Sequence, residues 1–197
     1  MHILFQHSGV LPVKNYGGTE RILFWHMLNL IKLGHKVTLI GHKDSDVKKY
    51  GINFIPMIDD NWLRLIPKNG IDIISLFYNK ELDTDIPVVY RIGGTGQIGE
   101  KFPKNTLFVS RKHAEIHGSN HYVYNGLDLS EYPFNPKKTK EWKNFLFLAK
   151  KSWRVKNAKS CIKACKQAKK ILHIAGGNHW LPSRYVNGYG MVGGQKK

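Results

Sequence analysis

The sequence predicts an α/β fold built on a doubly wound parallel sheet. Three observations carry this prediction. Short apolar runs recur along the chain, most of them without the alternation of a half-exposed strand, as parallel strands covered on both faces require. Residues 2–41 read strand, loop, helix, strand, the signature of a βαβ unit. Hydrophobic residues make up 42% of the 197 and charged residues 23%, enough for a packed core and too apolar for general disorder.

The elements follow in order. HILFQHS is an apolar run with a polar break after it, the first strand. RILFWHMLNLIKLGH has helix length, is apolar on most sides and ends at Gly34 with Lys32 and His35 nearby. It reads as a buried helix with a glycine stop. KVTLIGH is β-branched and follows at once as the second strand. INFIPM, IDIISLFY, IPVVYRI, TLFVS and HYVYNGLD are further strands. The helices between them are short and weakly marked, RKHAEIHG being the best. Residues 1–133 form the first domain. YPFNPKKTKEWK, with two prolines and a charge run, places a linker at 134–143.

Residues 144–197 begin a second α/β unit. NFLFLAK is a strand. NAKSCIKACKQAKK is a helix with Ala158, Cys161, Ile162, Cys165 and Ala168 on one stripe. ILHIAGG is a strand ending in two glycines. The unit then stops, at GYGMVGGQKK. Two strands and one helix cannot cover themselves. A separate chain therefore completes this unit, or the sequence is a piece of a longer protein.

The totals narrow the partners. There are 31 Lys and Arg against 14 Asp and Glu, a formal charge of +17, concentrated late in runs such as Lys137-Lys138, Lys150-Lys151, Lys169-Lys170 and Lys196-Lys197. Such a balance suits phosphate-rich partners: nucleotides, anionic lipid head groups or nucleic acid. Single lysines also serve as a solubilising surface. The aromatics are not interleaved with the basic residues and no recognition motif occurs, which argues against nucleic acid. No apolar run reaches the ~18 residues of a bilayer span. The N-terminus lacks a basic leader and a cleavage site. Cys161 and Cys165, four apart on a helix, suit neither a metal knuckle nor a disulfide, and point to a reducing cytoplasm.

Several motifs offer chemistry. Gly94, Gly96 and Gly99 match G-x-G-x-x-G after the strand IPVVYRI. A dinucleotide site also needs a helix directly after, whereas EKFPKN follows, with Pro103 in the way, and no acid closes a second strand. What remains is a pliable glycine loop at the carboxyl end of a central strand, where ligand crevices form. Tyr16-Gly17-Gly18-Thr19 lies between the first strand and the long helix, with Thr19 as N-cap. Its glycines let backbone N–H groups approach an anion at a helix N-terminus, and equally suit a tight turn alone.

Lys150 and Lys156, with Lys151 and Arg154 between, follow the first strand of the second unit. Cations there can hold a diphosphate or simply face solvent. Asp44-Ser45-Asp46 and Asp83-Thr84-Asp85 both match D-x-D, but both lie in turn-like segments. His113 and His117 share a helix with no third ligand, and read as a solvent-exposed face. No metal site is expected.

Together these stretches resemble the GT-B glycosyltransferases of family 4. PVKNYGGTERILFWHMLNLIKLGHKVTLIG is similar to the family's opening, with a proline, a Gly-Gly loop and a helix ending R-G-H-x-V-x-L. TLFVSRKHAEIHG resembles its V-S element and YVYNGLDLSEYPF its N-G-I-D segment. FLFLAKKSWRVKNAKSCIKACKQAKKILHIAGG resembles the start of its second domain, G-R-x-x-x-x-K-G followed by a helix and a strand. Ala149-Lys150 stands for the usual Gly-Arg and Lys156-Asn157 for Lys-Gly. Arg91-Ile92-Gly93-Gly94 stands where many members carry a histidine, so no catalytic residue is assigned.

The resemblance implies a GT-B-type, Rossmann-like doubly wound sheet with an incomplete second unit. It implies transfer of a sugar from a nucleotide sugar, such as a UDP- or GDP-sugar, to a glycan or lipid-linked acceptor hydroxyl. Transfer would proceed with retention and without metal or cofactor, in bacterial polysaccharide, lipopolysaccharide or glycolipid synthesis. It implies that Gly17, Gly18 and Thr19 line the donor phosphates or acceptor, that Gly93 and Gly94 lie near the sugar, and that Lys150 and Lys156 grip the diphosphate. The family's E-x7-E element would lie beyond Lys197, so the chain is expected to be inactive without the missing donor segment. The expected place is the cytoplasm, peripheral at the inner face of an anionic membrane. A non-catalytic domain that keeps acceptor or membrane affinity is the alternative.

Overall fold

The first strand, β1, His2–His7, is buried on both faces, and its side chains divide between two cores. Ile3 and Phe5 point to one side, with Leu23, Met27, Val37 and Leu39. Leu4 points to the other, with Ile40, Trp62, Ile74 and Leu76. A strand with no solvent face has no reason to alternate, hence the unbroken run ILF.

In the computed structural model, which describes residues 1–14, 17–97, 99–132, 144–177 and 185–189, the chain forms two units, Met1–Tyr132 and Pro133–Lys197. Tyr16, the linker expected at 134–143, its lysines, and most of GYGMVGGQKK lie outside the described residues.

In the first unit α1, Gly18–Lys32, follows β1, and then β2, Lys36–Gly41. The helix ends as its sequence predicts. Gly34 N–H bonds to Ile31 O and His35 N–H to Leu30 O, a glycine-terminated Schellman motif. β3, Asn53–Pro56, β4, Ile73–Leu76, β5, Val88–Ile92, and β6, Thr106–Phe108, precede the short α2, Arg111–Ile116. All six strands are parallel, in the order β3-β2-β1-β4-β5-β6. This is a Rossmann-like sheet, with its topological switch between β1 and β4.

The second face is covered sparingly. Between β3 and β4 the cover is a 3-10 turn, Trp62–Leu65, whose Trp62 is buried, and loop residues including Ile66 and Ile71. Asp59-Asp60, Pro67 and Gly70 punctuate that crossover and leave no room for a long helix.

HYVYNGLD is not a strand. Only Tyr122 pairs, as an isolated bridge to Phe108, with Phe108 N–H donating to His121 O and Val123 N–H to Phe108 O. β6 is three residues long and offers no ladder to extend. The segment continues to a 3-10 turn, Leu129–Glu131, where Glu131 Oε1 accepts from Trp25 Nε1 at 2.9 Å.

The second unit contains β7, Asn144–Leu148, α3, Ala158–Gln167, β8, Ile171–Ala175, and β9, Val186–Tyr189. The three strands are parallel in the order β7-β8-β9. The sequence predicts only the first two. VNGY carries no apolar run, and main-chain pairing with β8 recruits it, beginning with Leu172 N–H to Tyr185 O. Phe147, Leu172, Ile174 and Val186 pack on Ala158 and Cys165 of α3. Both cysteines are free and serve as packing. On the opposite face Leu146 and Leu148 are 65% and 67% exposed.

Candidate functional site

Ligand crevices in open parallel sheets form outside the carboxyl ends of the strands, at the switch point. Here β1 delivers His7 to that edge, β4 leads into Phe77 and Tyr78, and β5 ends beside Arg91.

His7 is largely buried, and its Nε2 has no hydrogen-bond partner among the described residues. Glu20, in the first turn of α1, brings Oε1 to 3.8 Å from it. Burial pushes the His7 pKa down, and the Glu20 charge pulls the other way without reversing it. The imidazole and the carboxylate thus face each other at the carboxyl edge of the sheet.

Backbone glycines make room for the pair. A Cβ on Gly9 would lie 2.8 Å from His7 Nε2, and one on Gly17 would lie 2.8 Å from both Glu20 Oε2 and Val13 Cγ2. Gly17 is therefore a glycine for space. Gly18 and Gly94 meet nothing within 4 Å, and Gly93 only Arg91 Nη1 at 3.8 Å, so packing does not demand glycine at those three.

Thr19 is not the N-cap. α1 starts two residues earlier than a cap at Thr19 implies, at Gly18, with Gly17 as cap. Gly17 O accepts from Arg21 N–H at 3.2 Å, which closes the first turn. Thr19 is the second helical residue, and no side chain caps this end.

Arg91 is half-buried. Its guanidinium lies 4.8 Å from the centroid of Phe77 and donates to Asn125 Oδ1. Desolvation pushes its pKa down, and burial together with Arg91 lowers that of His26 on α1. On the other face Tyr78 donates its hydroxyl to Gln6 Oε1 at 2.7 Å. Sequence reasoning missed His7, Glu20 and Asn125, and marked Arg91 only as standing where related enzymes carry a histidine. The available signal was a polar residue at the last positions of an apolar strand, as in HILFQH and VVYRI.

Several hydrogen bonds tie the described residues of the loop after β5 to their surroundings. Asn79 Nδ2 bonds to Glu100 Oε1 and Lys101 O, Gln97 N–H to Glu100 Oε2, and His117 Nε2 lies 3.0 Å from Thr95 O. No helix follows among the described residues before Thr106. His113 and His117 do not form a solvent-exposed pair. His113 is buried, its ring 4.8 Å from Phe108, and His117 stacks on Phe108 at 5.3 Å. Phe108 on the short edge strand and Phe102 in the loop before it turn that helix face inward. Asp44 and Asp46 face His42 and Lys49, and Ser45 accepts from Leu11 N–H.

In the second unit, Lys150 and Lys156 occupy the turn between β7 and α3. The Lys150 ammonium lies 5.1 Å from the centroid of the Trp153 ring, and Lys156 ends a 3-10 turn, Arg154–Lys156. Asn157 follows at φ 54°, ψ 41°, the left-handed conformation a glycine would take there. A hollow of about 470 Å³ opens beside the turn, lined by Lys151, Trp153, Arg154, Asn157 and Lys159 among others. The β8 end locks onto this turn, with Lys151 N–H bonding to Gly176 O at 2.8 Å.

Among solved structures the chain is similar to AviGT4, a glycosyltransferase involved in avilamycin A biosynthesis. The TM-score is 0.71 at 18% identity, over 98% of this chain and 64% of that one. The fold is that of a solved glycosyltransferase. The chain thus spans less than two thirds of AviGT4's length. No protein-family model matches the sequence, and no curated protein does. Among the described residues no helix is long and apolar enough to cross a membrane.

Proposed function

We propose that the chain is the acceptor-side unit and the opening of the donor unit of a GT-B glycosyltransferase of the family-4 type. It serves transfer of a sugar from a nucleotide sugar to an acceptor hydroxyl, with retention and without a metal, in cell-surface polysaccharide or glycolipid synthesis. The observation that carries this reading is the likeness to a glycosyltransferase across 98% of the chain. Further polypeptide, continuous or separate, supplies the rest of the donor unit.

In this reading Gly17, Gly18 and Thr19 open α1 beside the His7–Glu20 pair on the acceptor side. Gly93 and Gly94 leave bare backbone at the carboxyl end of β5. Lys150 and Lys156 meet the donor diphosphate, whose charge grows as the sugar leaves. Ammonium groups on a turn ahead of a helix suit that charge.

Titration of the chain with UDP, GDP and the matching nucleosides tests the site. Diphosphate-dependent binding should appear and fall about tenfold or more in K150Q/K156Q. Equal binding of nucleoside and nucleoside diphosphate would remove the lysines from the site. Tight binding of a nucleotide sugar by these 197 residues alone would overturn the need for further polypeptide.

A further inference from the structure

The charge of the chain is divided unequally between its units. Of the 31 Lys and Arg, 16 lie in Pro133–Lys197, together with one of the 14 acids, Glu141. The second unit therefore carries +15 of the formal +17. Binding one diphosphate needs only a few of these cations.

α3 shows where the surplus goes. Ala158, Ile162 and Cys165 face the core, while Lys159, Lys163 and Lys166 are exposed at i, i+4 and i+7, and Lys169 and Lys170 continue beyond the helix end. Neighbouring like charges at these spacings weaken a helix. No Asp or Glu occurs after Glu141 to offset them. A helix face of lysine alone is a poor design for water and a good one for an external anionic surface.

The turn before α3 adds apolar reach. Val155 is 82% exposed and Trp153 45%. Trp153, Arg154 and Lys159 line the same hollow, so this turn adjoins the start of the lysine stripe. Apolar side chains beside flexible lysines suit the boundary between lipid head groups and acyl chains. Nucleic acid fits less well. The stripe is lysine and not arginine, a set of point charges without planar forks for phosphate or bases, and no aromatic interrupts it.

We infer that the outer face of α3, with the Trp153–Val155 turn, is a docking surface for an anionic lipid bilayer. This stands whether or not the chain transfers sugar, and its test leaves Lys150 and Lys156 in place. The full chain is floated with phosphatidylcholine vesicles, with and without phosphatidylglycerol. Binding is expected only with the anionic lipid, weakening as salt rises. K159Q/K163Q/K166Q keeps good helix formers and should lose on the order of a hundredfold in affinity. K159R/K163R/K166R should retain binding, and K36Q/K43Q/K104Q on the first unit should not matter. V155S should weaken vesicle binding about fivefold. Wild-type binding by the triple Gln variant, or no binding at low salt, overturns the inference. So does duplex DNA that displaces the vesicles while V155S binds them normally, an outcome that assigns the face to nucleic acid.

Discussion

Replacing Gly176 by Ala should unfold the second unit and leave the first intact. A Cβ at this position would stand 2.2 Å from Ala149 O, 2.6 Å from Ala149 C and 3.3 Å from Lys150 N. All three are main-chain atoms and none can rotate away. The residue also holds φ 124°, which an alanine adopts only under strain. That strain costs about 1–3 kcal/mol, and forcing the β7 and β8 ends apart costs about as much again. Two main-chain bonds at the junction, Ala149 N–H to Ala175 O and Lys151 N–H to Gly176 O, would be lost with it. At about 1 kcal/mol each, the sum reaches roughly 4–8 kcal/mol, against a net stability of a few kcal/mol for so small a unit. Hydrogen exchange read by mass spectrometry gives the answer segment by segment. Peptides covering β7 and β8 should lose protection in G176A while β1 and β2 keep theirs. G177A isolates the backbone-strain share, since Gly177 also holds a positive φ, 145°, but its Cβ would meet only Lys151, at 3.4 Å and beyond. Wild-type protection of β7 and β8 in G176A would refute the close approach of the two strand ends.

Two further outcomes follow from the described geometry. His7, His26 and His113 all have pKa values pushed down, by burial first in each case. Each binds fewer protons folded than unfolded, so its stabilising effect is complete above the ordinary histidine value of ~6.5 and declines as pH falls through that value toward the depressed one. The slope is up to ~1.4 kcal/mol per pH unit for each histidine. Glu100 and Asp128, whose hydrogen bonds hold their pKa values down, lose their contributions only in the acid range below ~4. Urea midpoints for the first unit should therefore drop between neutral pH and about pH 5, and a flat profile there would contradict the buried neutral imidazoles. In the second unit, N157A should cost about 1 kcal/mol and N157G nothing, by thermal melting. Equal stability of N157A and wild type would exclude the left-handed turn.

The central elements were legible because local pattern and tertiary burial agree there. β1, β2 and β4 are mostly apolar on both faces since both faces are covered, and α1 carries its glycine stop in Gly34. Legibility fails where main-chain pairing decides. β9 exists because β8 has a free edge for it, while HYVYNGLD fails as a strand because β6 gives it only Phe108. It fails again where a two-residue shift of a helix start decides, as with Thr19, displaced from the cap when Gly17 took it. The inward turn of His113 and His117 depends on Phe102 and Phe108, brought near by the loop after β5 and by β6. The candidate site was legible as loops and not as side chains. The glycines announce where backbone is bare, whereas the approach of Glu20 to His7 depends on how α1 lies against β1.

The placement of β1 has a consequence in time. β1 pairs with β2 from His2 opposite Lys36, and with β4 from Ile3 opposite Ile73. As the ribosome extends the chain, β3-β2-β1 and most of the core under α1, all but Ile73 and Phe77, have emerged by Pro56. Leu4 and Ile40, on the other face, must wait for Trp62, Ile74 and Leu76. Between those moments a nascent half-sheet shows a sticky side to the cell, in the interval when a chaperone is most useful to it.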